Sequence, residues 1–144
     1  MSDTLVIIPT FNEKENIEKI IRKVFSLDKQ FNILIVDDGS PDGTSNIVKR
    51  IQSEFSNKLF IEERKGKLGL GTAYIHGFKW ALERDYQFIF EMDADFSHDP
   101  DDLIPLYNAC DKNGADVAIG SRYVNGVNIV NWPMSRLLMS YFAS

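Results

Sequence analysis

Five short apolar runs rich in Val, Ile and Phe alternate along this chain with segments of helical periodicity. The runs are Leu5 to Ile8, Phe31 to Val36, Leu59 to Glu62, Phe88 to Met92 and Val117 to Ile119. Brief runs of β-branched and aromatic residues read as strands, whereas apolar residues recurring at i, i+3, i+4 and i+7 read as one face of a helix. Ile17, Ile20, Ile21, Val24 and Phe25 follow the helical rule, as do Tyr74, Gly77, Phe78, Ala81 and Leu82, and then Leu103, Leu106, Tyr107 and Cys110. A shorter helix is expected around Ile47, Val48, Ile51 and Phe55. Asn12 and Glu15 have capping-box spacing for the first helix, while Asp99-Pro100 and Gly114 read as the start and stop of the last. Strands alternating with helices imply right-handed crossovers and a mainly parallel sheet flanked by helices on both faces, an α/β fold.

At 144 residues the chain suits one such domain, and 44% hydrophobic with 26% charged residues is a globular rather than a disordered composition. A net charge of −5 without a long basic run argues against a nucleic-acid partner; the densest cluster, Arg64-Lys65-Gly66-Lys67, reads as a solvated loop. The single Cys110 excludes an intramolecular disulfide, reads as a core position, and suits a reducing cytoplasm. No apolar run approaches the roughly 18 residues of a membrane span, and Met1-Ser2-Asp3-Thr4 lacks the basic start of a signal peptide. No repeat or linker precedes about Gly126, so one domain is expected over residues 1–125 and a distinct region over 126–144.

In parallel sheets ligands gather beyond the carboxyl ends of the strands. The expected strands run into Pro9-Thr10-Phe11-Asn12-Glu13, Asp37-Asp38-Gly39-Ser40, Arg64 to Gly71, Asp93-Ala94-Asp95 and Gly120-Ser121-Arg122-Tyr123. Acids at buried strand ends need water, helix N-termini or a cation. In an extended segment Asp93 and Asp95 point the same way and could share a hard cation such as Mg²⁺ or Mn²⁺ that also meets phosphate oxygens. The same residues could instead form an Asx turn or a cap, although their place directly after a strand favours the cation. An Asp of Asp37-Asp38-Gly39-Ser40 could accept hydrogen bonds from a nucleobase or ribose, or the run could be only a turn followed by a cap, beside the turn signal of Asp42-Gly43-Thr44. Gly69-Leu70-Gly71-Thr72 does not follow the first strand and lacks the third glycine of a dinucleotide fingerprint, which excludes a Rossmann dehydrogenase. It serves as a flexible lead-in to a helix or permits close approach of a ligand. His76 and His98 fit no zinc site and read as structural, and neither a Gly-x-Ser-x-Gly elbow nor a P-loop is present.

Taken together, the segments Val6 to Glu13, Val36 to Thr44 and Asp93 to His98 resemble the family-2 glycosyltransferases of GT-A fold. Within that family Leu68 to Gly77 and Gly120 to Tyr123 are similar to the dolichol-phosphate (polyprenol-phosphate) mannosyltransferases, and the resemblance spans essentially the whole chain. It implies metal-dependent, inverting transfer of mannose from GDP-mannose to a dolichyl or polyprenyl phosphate. It also implies that Pro9, Phe11, Glu13, Val36 and Asp38 surround the guanosine, that Asp93 and Ala94 contact the nucleotide, and that Asp95 binds Mg²⁺ or Mn²⁺. Ser97 stands where many relatives carry a metal-holding Gln, and its hydroxyl is the second implied, shorter ligand; Phe11 stands where relatives often carry Tyr and keeps the ring without the hydroxyl. Arg122 is implied on the acceptor loop as a phosphate-binding residue, a role its planar fork of donors suits, and a structural salt bridge is its competing role.

A polyprenyl phosphomonoester, with a second pKa of about 6, is largely dianionic at neutral pH and needs no protein base. Its oxygen can attack opposite the departing diphosphate, giving inversion, while a cation stabilises the leaving group. Two other readings remain open: a family-2 transferase using UDP-glucose or a related donor, and a catalytically silent nucleotide-sugar-binding module. The resemblance further implies a peripheral place at the cytoplasmic face of a membrane, with residues 126–144 beginning an acceptor and membrane-interface region that relatives continue. Trp132, Leu137, Leu138, Met139, Tyr141 and Phe142 could there lie on lipid, pack on a neighbouring chain of a homo-oligomer, or join the core. On this expectation the chain binds donor better than it transfers sugar.

Overall fold

The computed structural model describes residues 2–121, together with Ser135 and Met139. In chain order they form β1 (Thr4–Thr10), α1 (Ile17–Phe25), β2 (Asn32–Asp37), α2 (Thr44–Ile51) with a 3₁₀ turn at Gln52–Phe55, β3 (Leu59–Glu63), α3 (Leu70–Leu82), β4 (Phe88–Glu91), and a 3₁₀ turn at Pro100–Asp102 that runs into α4 (Leu103–Asp111). The strands make one sheet in the order β3-β2-β1-β4, every pair parallel.

The two central strands carry continuous apolar runs because helices cover both sheet faces, leaving no solvated side to alternate with. Val6, Ile8, Ile33 and Ile35 pack with Ile17, Ile20, Ile21 and Val24 of α1, Val48 and Ile51 of α2, and Leu103 of α4. On the opposite face Leu5, Ile7, Leu34 and Val36 pack with Ala73 and Ala81 of α3. The register aligns Val6 with Ile33 and Ile8 with Ile35, so each face is one surface across the strands.

Val117 to Ile119 differs from expectation. Among the described residues it forms no strand, and Val117 and Ile119 are 75% and 84% exposed. So short a run needs a neighbouring strand to satisfy its backbone, and the described strand pairs do not include it. The capping box also does not form. Asn12 is left-handed (φ 57°) and donates its N–H to Ser40 Oγ, while the start of α1 is closed by the Glu13 carbonyl, which accepts the N–H groups of Asn16 and Ile17. At the last helix Asp99 accepts the Asp101 N–H as a cap ahead of Pro100, and Gly114 turns left-handed (φ 71°) beyond its end. Cys110 is half-buried.

Leu82 departs from its expected core position and is 78% exposed. The buried stripe of α3 is Ala73, Gly77 and Ala81, a narrow line of small residues spaced four apart, and Leu82 lies off it at the helix end. A Cβ at position 77 would lie 2.6 Å from Ile7 Cγ2, so α3 rests nearly backbone-to-side-chain on β1. The expected boundary near Gly126 and most of the apolar tail lie outside the described residues; Met139 is 67% exposed. No described helix is long and apolar enough to cross a membrane.

Overpacking a filled core costs about 1–3 kcal/mol, partly offset by alanine's helix-propensity advantage of about 1 kcal/mol over glycine. Gly77→Ala is therefore expected to lower the urea midpoint, equivalent to about 1–2 kcal/mol, without changing the slope of the transition. A wild-type midpoint would show that α3 has room to move off β1.

Candidate active site

Because the chain leaves β1 toward β2 on one side while β4 lies on the other, the sheet has its topological switch at the carboxyl ends of β1 and β4. A cleft of about 230 Å³ opens there. Pro9, Phe11, Glu13, Asp38, Asp93, Ala94 and Asp95, all singled out from the sequence, line it; Thr10, Lys67, Gly69, Leu70 and Ala73 complete the wall. Val36 lies fully buried beneath, in the core on the α3 side, Ser97 is exposed on the turn beyond Asp95, and Arg122 lies outside the described residues.

The segment after β2 divides its labour. Asp37 accepts the Thr10 hydroxyl at 2.8 Å, the Ser40 N–H at 2.9 Å and the Ser40 hydroxyl at 2.6 Å, tying the ends of β1 and β2 together. Asp42 accepts the N–H groups of Thr44 and Lys14 and the Thr44 hydroxyl, and Thr44 Oγ1 accepts the Glu13 N–H. What reads as a turn is thus also a clamp on the loop that presents Phe11 and Glu13. Gly39 is required where this segment meets the next one, since it is left-handed (φ 69°) and a Cβ there would lie 3.0 Å from the Gly66 nitrogen.

Asp38 faces the cleft and is held by Arg64, whose Nε and Nη2 donate to its two carboxylate oxygens at 2.6 and 2.8 Å; the Leu68 N–H adds a third bond. Arg64 also donates to Thr72 Oγ1 and the Gly69 carbonyl, fastening the start of α3. The expectation of a solvated loop therefore fails at Arg64, whose side chain is 9% exposed: a carboxylate as buried as Asp38, at 8%, requires a close counter-charge. Lys67, in the same loop, sets its ammonium 4.8 Å from the centre of the Phe11 ring, a cation–π placement.

Across the cleft Asp93 accepts the Tyr74 hydroxyl at 3.1 Å and donates its N–H to His98 Nδ1 at 3.2 Å. Asp95 accepts the Ser97 N–H at 2.9 Å, with Phe96 left-handed between them (φ 61°), so the Asx turn forms and the carboxylate still lines the cleft. Burial alone would raise the pKa of Asp95, but the Ser97 hydroxyl and N–H, its own backbone N–H and the neighbouring His98 outweigh that and hold the carboxyl below its ordinary range. Glu13 moves the other way: burial raises its pKa, and the negative charges of Asp95, Asp42 and Asp93 add to it against a hydrogen bond from Asn16.

No three His, Cys, Asp or Glu side chains converge on one point among the described residues. The Asp95 carboxylate and the Ser97 hydroxyl beside it are oxygen donors of the kind that could hold a hard cation such as Mg²⁺. Arg64, Lys67 and Tyr74 were not legible as site residues, although Arg64 and Lys67 follow β3 at the same sheet edge.

A parallel sheet with an acid-walled, aromatic-capped crevice at this switch point defines a domain of GT-A type. The chain belongs to glycosyl transferase family 2, which matches residues 5–143. It is 48% identical over 141 residues to the polyprenol monophosphomannose synthase of Mycolicibacterium smegmatis, covering 98% of this chain and 53% of that protein. It is 43% identical over 140 residues to the undecaprenyl-phosphate mannosyltransferase of Micrococcus luteus, covering 97% and 56%. Among solved structures, the mannosyltransferase PcManGT from Pyrobaculum calidifontis, in complex with GDP-Man and Mn²⁺, matches with a TM-score of 0.50 and 27% identity over 55% of this chain and 24% of that one. The chain spans about half the length of the curated relatives it matches.

Two outcomes follow from the site's electrostatics. Arg64→Ala strands a buried carboxylate and is expected to destabilise the fold by about 3–5 kcal/mol in urea unfolding; Arg64→Lys, lacking the fork, is expected to recover only part. For Glu13 the folded pKa lies above the ordinary 4.5, so the folded state binds its proton more tightly. Its favourable contribution is complete below the ordinary value and is lost as pH rises through the folded one. Glu13→Gln is therefore expected to raise the melting temperature of ligand-free protein at neutral pH and to lose that advantage in acid; an advantage independent of pH would contradict the assignment.

Proposed function

We propose that this chain carries the donor site of a metal-dependent, inverting mannosyltransferase that moves mannose from GDP-mannose to a polyprenyl or dolichyl phosphate. The observation that carries this reading is the single cleft bringing Phe11, Glu13 and Asp38 from the ends of β1 and β2 to face Asp93 and Asp95 from the end of β4. An aromatic ring with two acids suits a nucleoside, and two further acids suit a cation-bridged diphosphate. The names of the polyprenol-phosphate relatives support the acceptor class, and the PcManGT complex with GDP-Man and Mn²⁺ supports the donor and the cation.

Phe11 and Pro9 offer the nucleobase an apolar wall, and the Asp38 carboxylate, which lines the cleft, offers its remaining acceptor capacity at a position Arg64 fixes. Asp95 and Ser97 would hold Mg²⁺ or Mn²⁺, which when bound supplies positive charge to the diphosphate leaving group. Ser97 donates to Asp95 and outweighs the effect of burial, favouring the carboxylate form that a cation requires. Arg122 is assigned to the acceptor phosphate, whose dianion attacks the anomeric carbon from the face opposite the leaving group, so none of the cleft carboxylates has to act as a base. The place of work is the cytoplasmic surface of a membrane, where the lipid acceptor resides.

Calorimetry is expected to show GDP-mannose binding that strengthens with Mn²⁺, with UDP-glucose competing poorly. Asp95→Ala is expected to abolish the Mn²⁺-dependent part, on the order of tenfold or more in affinity, because a divalent ion beside a diphosphate contributes at least as much as a charge-assisted hydrogen bond. Equal affinities with Mn²⁺, with chelator and in Asp95→Ala would remove the metal assignment. Tighter binding of UDP-glucose would replace the mannose one.

A further inference from the structure

We infer that Tyr74 is a positioning residue for Asp93, and that the first turns of α3 form a strut setting the separation between the acid after β2 and the acids after β4. This rests on the nucleotide-sugar reading of the cleft and extends it to residues that do not themselves touch the ligand.

The strut can be followed atom by atom. Asp38 holds Arg64 through two bonds, and Arg64 binds the Gly69 carbonyl and the Thr72 hydroxyl at the start of α3. The Leu68 N–H, one residue earlier, also donates to Asp38. This end of the helix is therefore fixed to the end of β2. One turn onward Gly77 rests against Ile7 of β1, which fixes the height of the helix above the middle of the sheet. Between these two anchors Tyr74 packs its ring into the α3-side core and directs its hydroxyl to Asp93 Oδ1 at 3.1 Å, beyond the end of β4.

Asp93 needs such a hold. Its carboxylate shares the cleft with Glu13 and Asp95, and its negative charge contributes to raising the pKa of Glu13. Repulsion turns an unrestrained carboxylate toward water. His98 Nε2 lies 3.9 Å from Asp93 Oδ2, too far for a hydrogen bond, so Tyr74 is the side chain that donates to Asp93 among the described residues. Asp38 and Asp93 are thus two ends of one chain of contacts, and a nucleotide sugar spanning both meets a preset separation.

The test is a double-mutant cycle on GDP-mannose binding with Mn²⁺, comparing wild type, Tyr74→Phe, Asp93→Ala and the double variant, with thermal unfolding of each as a fold control. Tyr74→Phe keeps the packed ring and removes only the donor. It is expected to weaken binding roughly three- to tenfold in the wild-type background, and less than about twofold when Asp93 is already alanine. Full additivity, in which Tyr74→Phe has the same effect in both backgrounds, would show that Tyr74 acts through general packing and would overturn the inference, as would wild-type affinity in the single variant. A wild-type chain that binds neither GDP-mannose nor UDP-glucose with any divalent cation overturns the nucleotide-sugar reading itself, and this inference with it.

Discussion

The bidentate pair between Asp38 and Arg64 is the contact on which the cleft depends. A carboxylate that sits at the end of a fully buried strand is tolerable only beside a cation, and a guanidinium held this far out of water is tolerable only with its donors used. Because Arg64 spends two further donors on Gly69 and Thr72, neutralising one acid also places a whole helix. Remote parts of the chain, the ends of β2 and β3 and the start of α3, therefore meet at one ion pair. The wall opposite Phe11 follows from it, since Gly69, Leu70 and Ala73 line the cleft from that helix.

Among the described residues the other acids of the cleft have no arginine or lysine so paired. Glu13, Asp93 and Asp95 share the cleft, and burial first, then the charges of Asp95, Asp42 and Asp93, raise the pKa of Glu13. The ligand-free protein would be more stable with Glu13 uncharged. The concentration of these acids at a topological switch point, where the fold does not need them, is the pattern expected when a cationic ligand or a bridging cation completes the charge balance. Hydrogen bonds from Ser97 outweigh burial at Asp95 and favour its charged form.

Most of the architecture was legible because it rests on local signals. Four of the five expected strands and the four helices follow from runs of Val and Ile and from spacings such as Ile17, Ile20, Ile21 and Val24. The acids at the strand ends were legible for the same reason, since their place is set by the strand before them. What escaped is non-local. Nothing adjacent to Arg64 reveals that it meets Asp38, which is distant in sequence, so a cluster with three cations read as solvated although the side chain of one of them is largely withdrawn from water. Asn12 had capping-box spacing, but Ser40 outcompetes that arrangement by binding its N–H from another segment. Val117 to Ile119 shows the limit of composition, since β-branched residues make a strand only beside another strand.

Asn12 and Phe96, left-handed without being glycine, stand in the loops that follow β1 and β4, one at each wall of the cleft. Such backbone typically costs about 1 kcal/mol or more at each position and persists only because its surroundings hold it. Glycine would remove the penalty at either place, yet it would also widen the range of shapes the loop explores. The discomfort therefore has a use: a left-handed side-chain-bearing residue has few alternative shapes, and those few are what keep Glu13 and Asp95 pointed inward. Engineering this protein for thermal endurance by relaxing its left-handed residues would be safer at Asn57, away from the cleft, than at Asn12 or Phe96, where it would loosen the loops that carry the acids.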